Sequence, residues 1–186
     1  RIKPGDFCIL AARPSMGKTQ LAIDLLKGMS CRNNVATLLV SAEMTLKAIG
    51  ERIVISEACD GGPDQLEQAR EEVASSWAGV PMYINDQARS LSEVVSAIRV
   101  AYQKDGVRAV AVDYLQLLDL PKEDTREQTV ANASRVLKGL CSQLGISLVL
   151  LSQLNRGVEQ RPDKRPLMSD LRDSGQLEQG ADHVVF

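Results

Sequence analysis

Phe7-Cys8-Ile9-Leu10-Ala11, Ala12-Arg13-Pro14-Ser15-Met16-Gly17-Lys18-Thr19, and the run to Met29 that places Leu21, Leu25 and Leu26 on one face decide the fold. The first five residues are an unbroken apolar run of the length of a buried strand. The last stretch repeats with the period of a helix. The loop between them matches the phosphate-binding template G-x-x-x-x-G-K-[ST] at every position but the first, where Ala12 replaces glycine. A strand that feeds a helix through such a loop aims backbone N–H groups and the helix N-terminus at one point, which stabilises a phosphate there. In this template the lysine, Lys18, reaches the β- and γ-phosphates and the hydroxyl of Thr19 joins a Mg²⁺ shell. A Gly-Lys-Thr turn at an ordinary helix start is the plain alternative. The flanking strand and helix are the context the motif demands, and they favour the phosphate reading.

Working outward, short apolar runs alternate with longer amphipathic segments, the pattern of an α/β domain with a largely parallel sheet. Strands are expected at Val35 to Val40, Val107 to Val112 and Ile146 to Leu151, with a short edge strand at Pro81 to Ile84. Helices are expected at Leu46 to Ala58, Gln65 to Ser76 and Arg126 to Leu144, and after the capping box Ser90-x-x-Glu93. The breaker Asp60-Gly61-Gly62-Pro63 parts the first two of these, and Gly106 and Gly145 close the last two. From Ser152 to about Gln176 the sequence turns polar and reads as a long loop, a place where function concentrates.

The 186 residues suit one domain with its own core. A net charge of −2 gives no overall basic field, so any contact with nucleic acid needs local or assembled basic groups. The cysteines, Cys8, Cys31, Cys59 and Cys141, form no Cys-x-x-Cys pair. That argues against a zinc site or a disulfide framework and fits a reducing cytoplasm. No apolar run reaches the length of a membrane-spanning helix, and no signal-peptide pattern is present. Arg1 in place of a start methionine, and a terminal His183-Val184-Val185-Phe186 that opens like a strand, suggest a piece of a longer polypeptide.

Three further positions carry candidate chemistry. Glu43, in Ser41-Ala42-Glu43-Met44, follows a strand tip on the edge of the sheet that holds the phosphate loop. It suits a base that deprotonates an attacking water, and equally an acid favoured by a helix N-terminus. Asp113 ends a core strand, where a P-loop enzyme places its second Mg²⁺ contact. A turn residue or helix cap would also sit there, but the phosphate loop upstream favours the metal role. Gln153, at the tip of the fourth main strand, can hydrogen-bond a γ-phosphate, and a solvated strand end is the simpler reading. In the loop beyond it Arg156, Arg161, Lys164, Arg165 and Arg172 alternate with Glu159, Asp163, Asp170 and Asp173, which usually means a solvated surface. The loop holds no aromatic residue, so nucleic acid would be held there by its phosphates. The single histidine, His183, and Trp77 read as structural residues.

Taken in order, ARPSMGKT at 12–19, SAEM at 41–44, VDYLQLL at 112–118, LSQLNR at 151–156 and KRPLMSDLRDSGQLEQGAD at 164–182 resemble the motor domain of DnaB-type replicative helicases. The resemblance runs along nearly the whole chain and is least between about Val54 and Val80. That family reads its phosphate loop with alanine first, as here. The resemblance implies a RecA-like P-loop fold with a mainly parallel sheet, in a ring-shaped homo-hexamer that moves on single-stranded DNA and unwinds duplex, with primase and a helicase loader as partners. It implies that Ala12, Arg13, Pro14, Ser15, Met16, Gly17, Lys18 and Thr19 bind ATP. It also implies that Thr19 and Asp113 hold Mg²⁺, that Glu43 is the catalytic base and that Gln153 senses the γ-phosphate. Arg172, Asp173 and Gly175 would contact the DNA backbone, with Asp173 standing where a glutamate is usual.

The family's arginine finger lies in a basic segment past the last matching strand, and its helical collar precedes the motor. Neither lies within the chain, so weak hydrolysis is expected of this piece alone. Two alternatives remain: another RecA-like ATPase, of recombinase or clock type, and a nucleotide-binding or loader-docking module that does not hydrolyse. A recombinase would not be expected to carry both ARPSMGKT and SDLRDSG, and intact Lys18, Glu43 and Asp113 argue against a degenerate site.

Overall fold

The computed structural model describes residues 2–58, 63–113, 119–120, 125–171 and 180–186. Strand β1 (Phe7–Ala12) runs through the phosphate loop into helix α1 (Lys18–Asn33), followed by β2 (Thr37–Ser41), α2 (Leu46–Glu57), α3 (Pro63–Ser76) and β3 (Met82–Asn85). Then come α4 (Leu91–Asp105), β4 (Ala109–Asp113), α5 (Arg126–Leu144), β5 (Ser147–Gln153) and β6 (His183–Val185). The strands form one six-stranded sheet in the order β3-β2-β4-β5-β1-β6. Every pairing in it is parallel.

The alternation of side chains along each strand divides the core into two layers. Leu38, Val40, Val110, Val112, Leu148 and Leu150 face α4 and α5, where Val94, Ile98, Leu137 and Cys141 complete one cluster. Leu10, Leu39, Ala109, Ala111 and Leu151 face the other way, onto Ala22, Ile23 and Leu26 of α1 and Ile49 and Ile53 of α2, with Trp77 packed at the margin. Strands buried on both faces need near-continuous apolar sequence, which is why these runs are legible. Cys8 and Cys141 lie in this core, where burial pushes their thiols up to about 11 and about 12. With exposed Cys31 they are free thiols. No helix among the described residues is long and apolar enough to cross a membrane.

Helix ends follow their local chemistry. Ser90 and Glu93 form the expected capping box on α4, and Thr125 and Gln128 form a second one on α5. Gly106 and Gly145 close the same two helices in the left-handed conformation, at φ 69° and 62°. Leu148 is fully buried, its backbone opposite both Phe7 and Val110. Leu148→Ala is therefore expected to cost about 2–5 kcal/mol in denaturant unfolding. Leu21→Ala, at a helix position that is 46% exposed, should stay within about 0.5 kcal/mol of the parent.

The stretch after β5 departs from the expected solvated loop. The strand itself extends through Ser152 and Gln153, and Leu154 then bridges to Leu171. Short 3₁₀ turns occupy Arg156–Gln160 and Met168–Asp170. Leu154, Val158 and Leu171 are buried apolar anchors inside a polar composition. Asp170 is buried as well. Its carboxylate accepts from Leu167 N–H at 2.7 Å and from Arg161, and its carbonyl accepts from Asn155 N–H at 2.8 Å. Burial works against the charge of Asp170, but these donors outweigh it and hold the carboxyl below its usual range. One buried acid thus organises a segment whose average charge says only that it is wet.

Candidate nucleotide-binding site

Because all six strands are parallel, the C-terminal ends of β1, β2, β4 and β5 open on one edge of the sheet. β1 is the point where strand order reverses: the chain leaves it toward β2 and β3 and later returns to β6 on its other side. In open α/β sheets ligands bind in the crevice at such a switch point. Register makes the convergence specific, since Ala12 lies opposite Gln153 and Ser41 opposite Asp113.

The phosphate loop has the backbone of an anion cradle. Ser15 at φ 63° and Gly17 at φ 84° are both left-handed, which turns successive N–H groups to one side. Gly17 is also the N-cap of α1, with no side-chain cap and no acidic residue in the first turn. The positive end of that helix is thus left for an outside anion. Ala12 is the last residue of β1 and pairs with Gln153 there. It is not among the left-handed residues, so this position makes no demand for glycine. The left-handed demand falls on Ser15 and Gly17 instead.

Below the loop, the Thr19 hydroxyl donates to Asp113 Oδ2 at 2.7 Å. Asp113 is fully buried, and its other oxygen, Oδ1, has no hydrogen-bond partner. Burial raises the pKa of this carboxyl, against the opposing influence of the Thr19 bond and the charges of Lys18 and Arg52. Lys18 is half-buried and its pKa is lowered, again mainly by burial, while Asp113 and Glu43 act to keep it charged. A buried, unpaired carboxylate oxygen beside a hydroxyl is the donor set that a small hard cation completes. The residues present therefore fit Mg²⁺.

Glu43 is brought to the same place by the backbone. Ala42 N–H donates to the Asp113 carbonyl at 2.7 Å, and Met44 N–H donates to Ser41 Oγ at 2.9 Å. These bonds lock the turn after β2 against the tip of β4 and leave the Glu43 side chain exposed. The resulting cavity, of about 330 Å³, is lined by Arg13, Lys18, Thr19, Glu43, Arg52 and Gln153 together with loop residues Pro14, Ser15 and Gly17. A second, mostly apolar cavity of about 500 Å³ shares Arg13, Gly17 and Lys18 with it and adds Met16 and Leu21.

Of the residues picked out in the sequence, Arg13, Pro14, Ser15, Gly17, Lys18, Thr19, Glu43 and Gln153 line the first cavity, and Asp113 lies beneath it. Ala12 and Met16 line the second. Arg172, Asp173 and Gly175 lie outside the described residues, as does Tyr114 to Leu118 of the VDYLQLL segment. Arg52 is a lining residue that sequence reasoning misses. Its only signal is the helical register of α2, where it stands three residues after buried Ile49 and one before buried Ile53. Arg13 has a second use, donating from Nε to Glu159 at 2.7 Å and from Nη1 to the Leu154 carbonyl at 2.9 Å. It ties the phosphate loop to the segment after β5.

Known proteins are similar to this chain in sequence and in fold. A "Probable plasmid replicative DNA helicase" of Chlamydia trachomatis serovar L2 is 38% identical over 195 residues, covering 98% of this chain and 42% of its own length. The chain thus spans under half the length of that curated relative. A "Replicative DNA helicase DnaB" of Leifsonia xyli is 37% identical over 199 residues, covering 100% of this chain and 43% of its own length. A solved structure, of a DnaB-like replicative helicase and its interactions with primase, superposes with a TM-score of 0.89 at 36% identity, covering 98% of this chain and 47% of that one. Its likeness makes the α/β architecture RecA-like. The profile of the DnaB-like helicase C-terminal domain family matches residues 2–186, and the chain belongs to that family.

Proposed function

We propose that this chain is the ATP-driven motor of a replicative DNA helicase, residues 1–186 forming one RecA-like ATPase domain that works in a ring hexamer on single-stranded DNA. The observation that carries this reading is the convergence of four strand ends, which sets the cradle of Gly17 and Lys18, the Thr19–Asp113 pair, exposed Glu43 and Gln153 around one cavity. That set supplies what phosphoryl transfer to water requires: positioning, charge neutralisation and a proton acceptor.

The α1 N-terminus and Lys18 hold the β- and γ-phosphates, and the apolar cavity alongside receives the base. Thr19 and Asp113 would hold Mg²⁺, which would supply charge neutralisation to the phosphates. Glu43 accepts a proton as a water oxygen bonds to the γ-phosphorus and the bond from that phosphorus to the β-γ bridging oxygen breaks, so that ADP departs. Gln153 hydrogen-bonds the γ-phosphate. Its neighbour Leu154 is held by Arg13 and bridges to Leu171, one residue before Arg172. Loss of the γ-phosphate thereby reaches the segment proposed to grip the DNA backbone. Several copies around a ring would concentrate the basic groups that one chain, at −2, does not. The cellular setting is the cytoplasm, with primase and loader as partners.

The test is Mg²⁺-ATP turnover and strand separation by the intact protein, with and without single-stranded DNA. The expected result is DNA-stimulated hydrolysis coupled to unwinding. Nucleotide binding without turnover in either condition would leave the non-hydrolysing module as the correct reading. Arg172→Ala is expected to weaken DNA binding and to shallow its salt dependence by about one unit of log–log slope. If affinity and slope both hold, the DNA contact lies elsewhere.

A further inference from the structure

We propose that Arg52 is a phosphate-binding residue that touches the terminal phosphate of the nucleoside triphosphate in cis, from the α2 side of the cavity, and so distinguishes triphosphate from diphosphate. This rests on the reading of the cavity as the nucleotide site.

The cavity wall carries three cations, Lys18, Arg13 and Arg52. Lys18 belongs to the phosphate loop and stands next to Thr19. Two of the five donors of Arg13 are already engaged, Nε by Glu159 and one on Nη1 by the Leu154 carbonyl. Arg52 makes no hydrogen bond or ion pair among the described residues, so its donors remain available. A guanidinium with open donors beside an anion site is suited to bidentate phosphate contact.

Its placement follows from α2. Thr45 caps that helix, accepting from Ala48 N–H at 3.3 Å, and Ile49 and Ile53 bury one face against the sheet. Arg52 flanks that buried face and is exposed. Long helical side chains lean toward the helix N-terminus, and here that direction leads back to Glu43, which lines the same cavity. Arg52 thus faces the acid side of the site, where Glu43 and Asp113 stand, while the helix N-terminus and Lys18 approach from the loop. A phosphate between them would be gripped from two sides. The β-phosphate, held by the loop, has no need of Arg52.

Equilibrium binding of ADP and of a non-hydrolysable β,γ-imido ATP analogue to the intact protein separates the possibilities. For Arg52→Gln, affinity for the ATP analogue should fall about 10- to 100-fold, the range of a hydrogen bond to a charged group, while ADP affinity stays within about twofold. Arg52→Lys keeps the charge without the fork and should recover only part of the loss. Position 52 is exposed, so both variants should melt with the parent. An unchanged ratio of analogue to ADP affinity in Arg52→Gln would overturn the proposal, as would an equal loss for both ligands. A parent protein that binds neither nucleotide would instead overturn the nucleotide reading itself.

Discussion

Glu43→Gln is expected to lower Mg²⁺-ATP turnover by about 10²- to 10⁴-fold, the usual contribution of a positioned base, while nucleotide affinity stays near that of the parent. The substitution keeps shape and hydrogen-bonding reach and removes only the ability to accept a proton. The turn that carries residue 43 is held by backbone bonds, Ala42 to the Asp113 carbonyl and Met44 to Ser41 Oγ, so the side-chain change leaves it in place. Glu43 is exposed, and the melting temperature should therefore be unchanged. Steady-state hydrolysis with equilibrium nucleotide binding decides the matter. Unaltered turnover would remove Glu43 from the role of base and return it to that of a helix-terminal acid.

The second large effect joins activity to stability. Asp113→Asn should cut Mg²⁺-dependent turnover by about 10³-fold, because metal stabilisation of phosphoryl-transfer charge is worth several kcal/mol. The same change should stabilise the nucleotide-free protein. Asp113 is fully buried with one oxygen unpartnered, and burial raises its pKa above 3.8. An acid whose folded pKa is raised favours the fold while protonated, and that contribution is lost as pH rises through the folded value. The parent should therefore lose stability relative to Asp113→Asn as pH climbs from about 4 upward, with the gap levelling once the carboxylate is ionised in the fold. Relief of about 1 kcal/mol corresponds to a rise of about 2–4 °C in Tm for a domain of this size. Thr19 can still donate to the amide oxygen, so the local bond survives. Thermal melts of both proteins across pH test this. A variant no more stable than the parent at neutral pH would show that Asp113 is not stranded in the nucleotide-free state.

Local sequence determined the elements. The runs FCILA, VATLLV and VRAVAV read as strands of a parallel sheet, because strands buried on both faces need near-continuous apolar sequence. The pattern Gly17-Lys18-Thr19 between a strand and a helix marked the phosphate cradle, and Ser90 and Glu93 marked a helix start, because caps and loops are satisfied by neighbours in the chain. The position of Glu43 left base and helix acid equally open, and Asp113 only leaned toward metal. What the positions lacked was distance. The bond from Thr19 to Asp113 joins residues 94 apart in sequence.

Tertiary structure decided which strand tips share an edge, that the described part of the polar stretch after β5 buries Leu154, Val158, Asp170 and Leu171, and that Arg52 lines the same cavity as Lys18 and Glu43. Composition averages over a loop and hides a few anchors, and helical periodicity says which residues share a face without saying what that face meets. The cradle was readable from one short stretch of consecutive residues because backbone N–H groups make it. The site around it was not, because parallel strands bring together the ends of segments that are far apart along the chain.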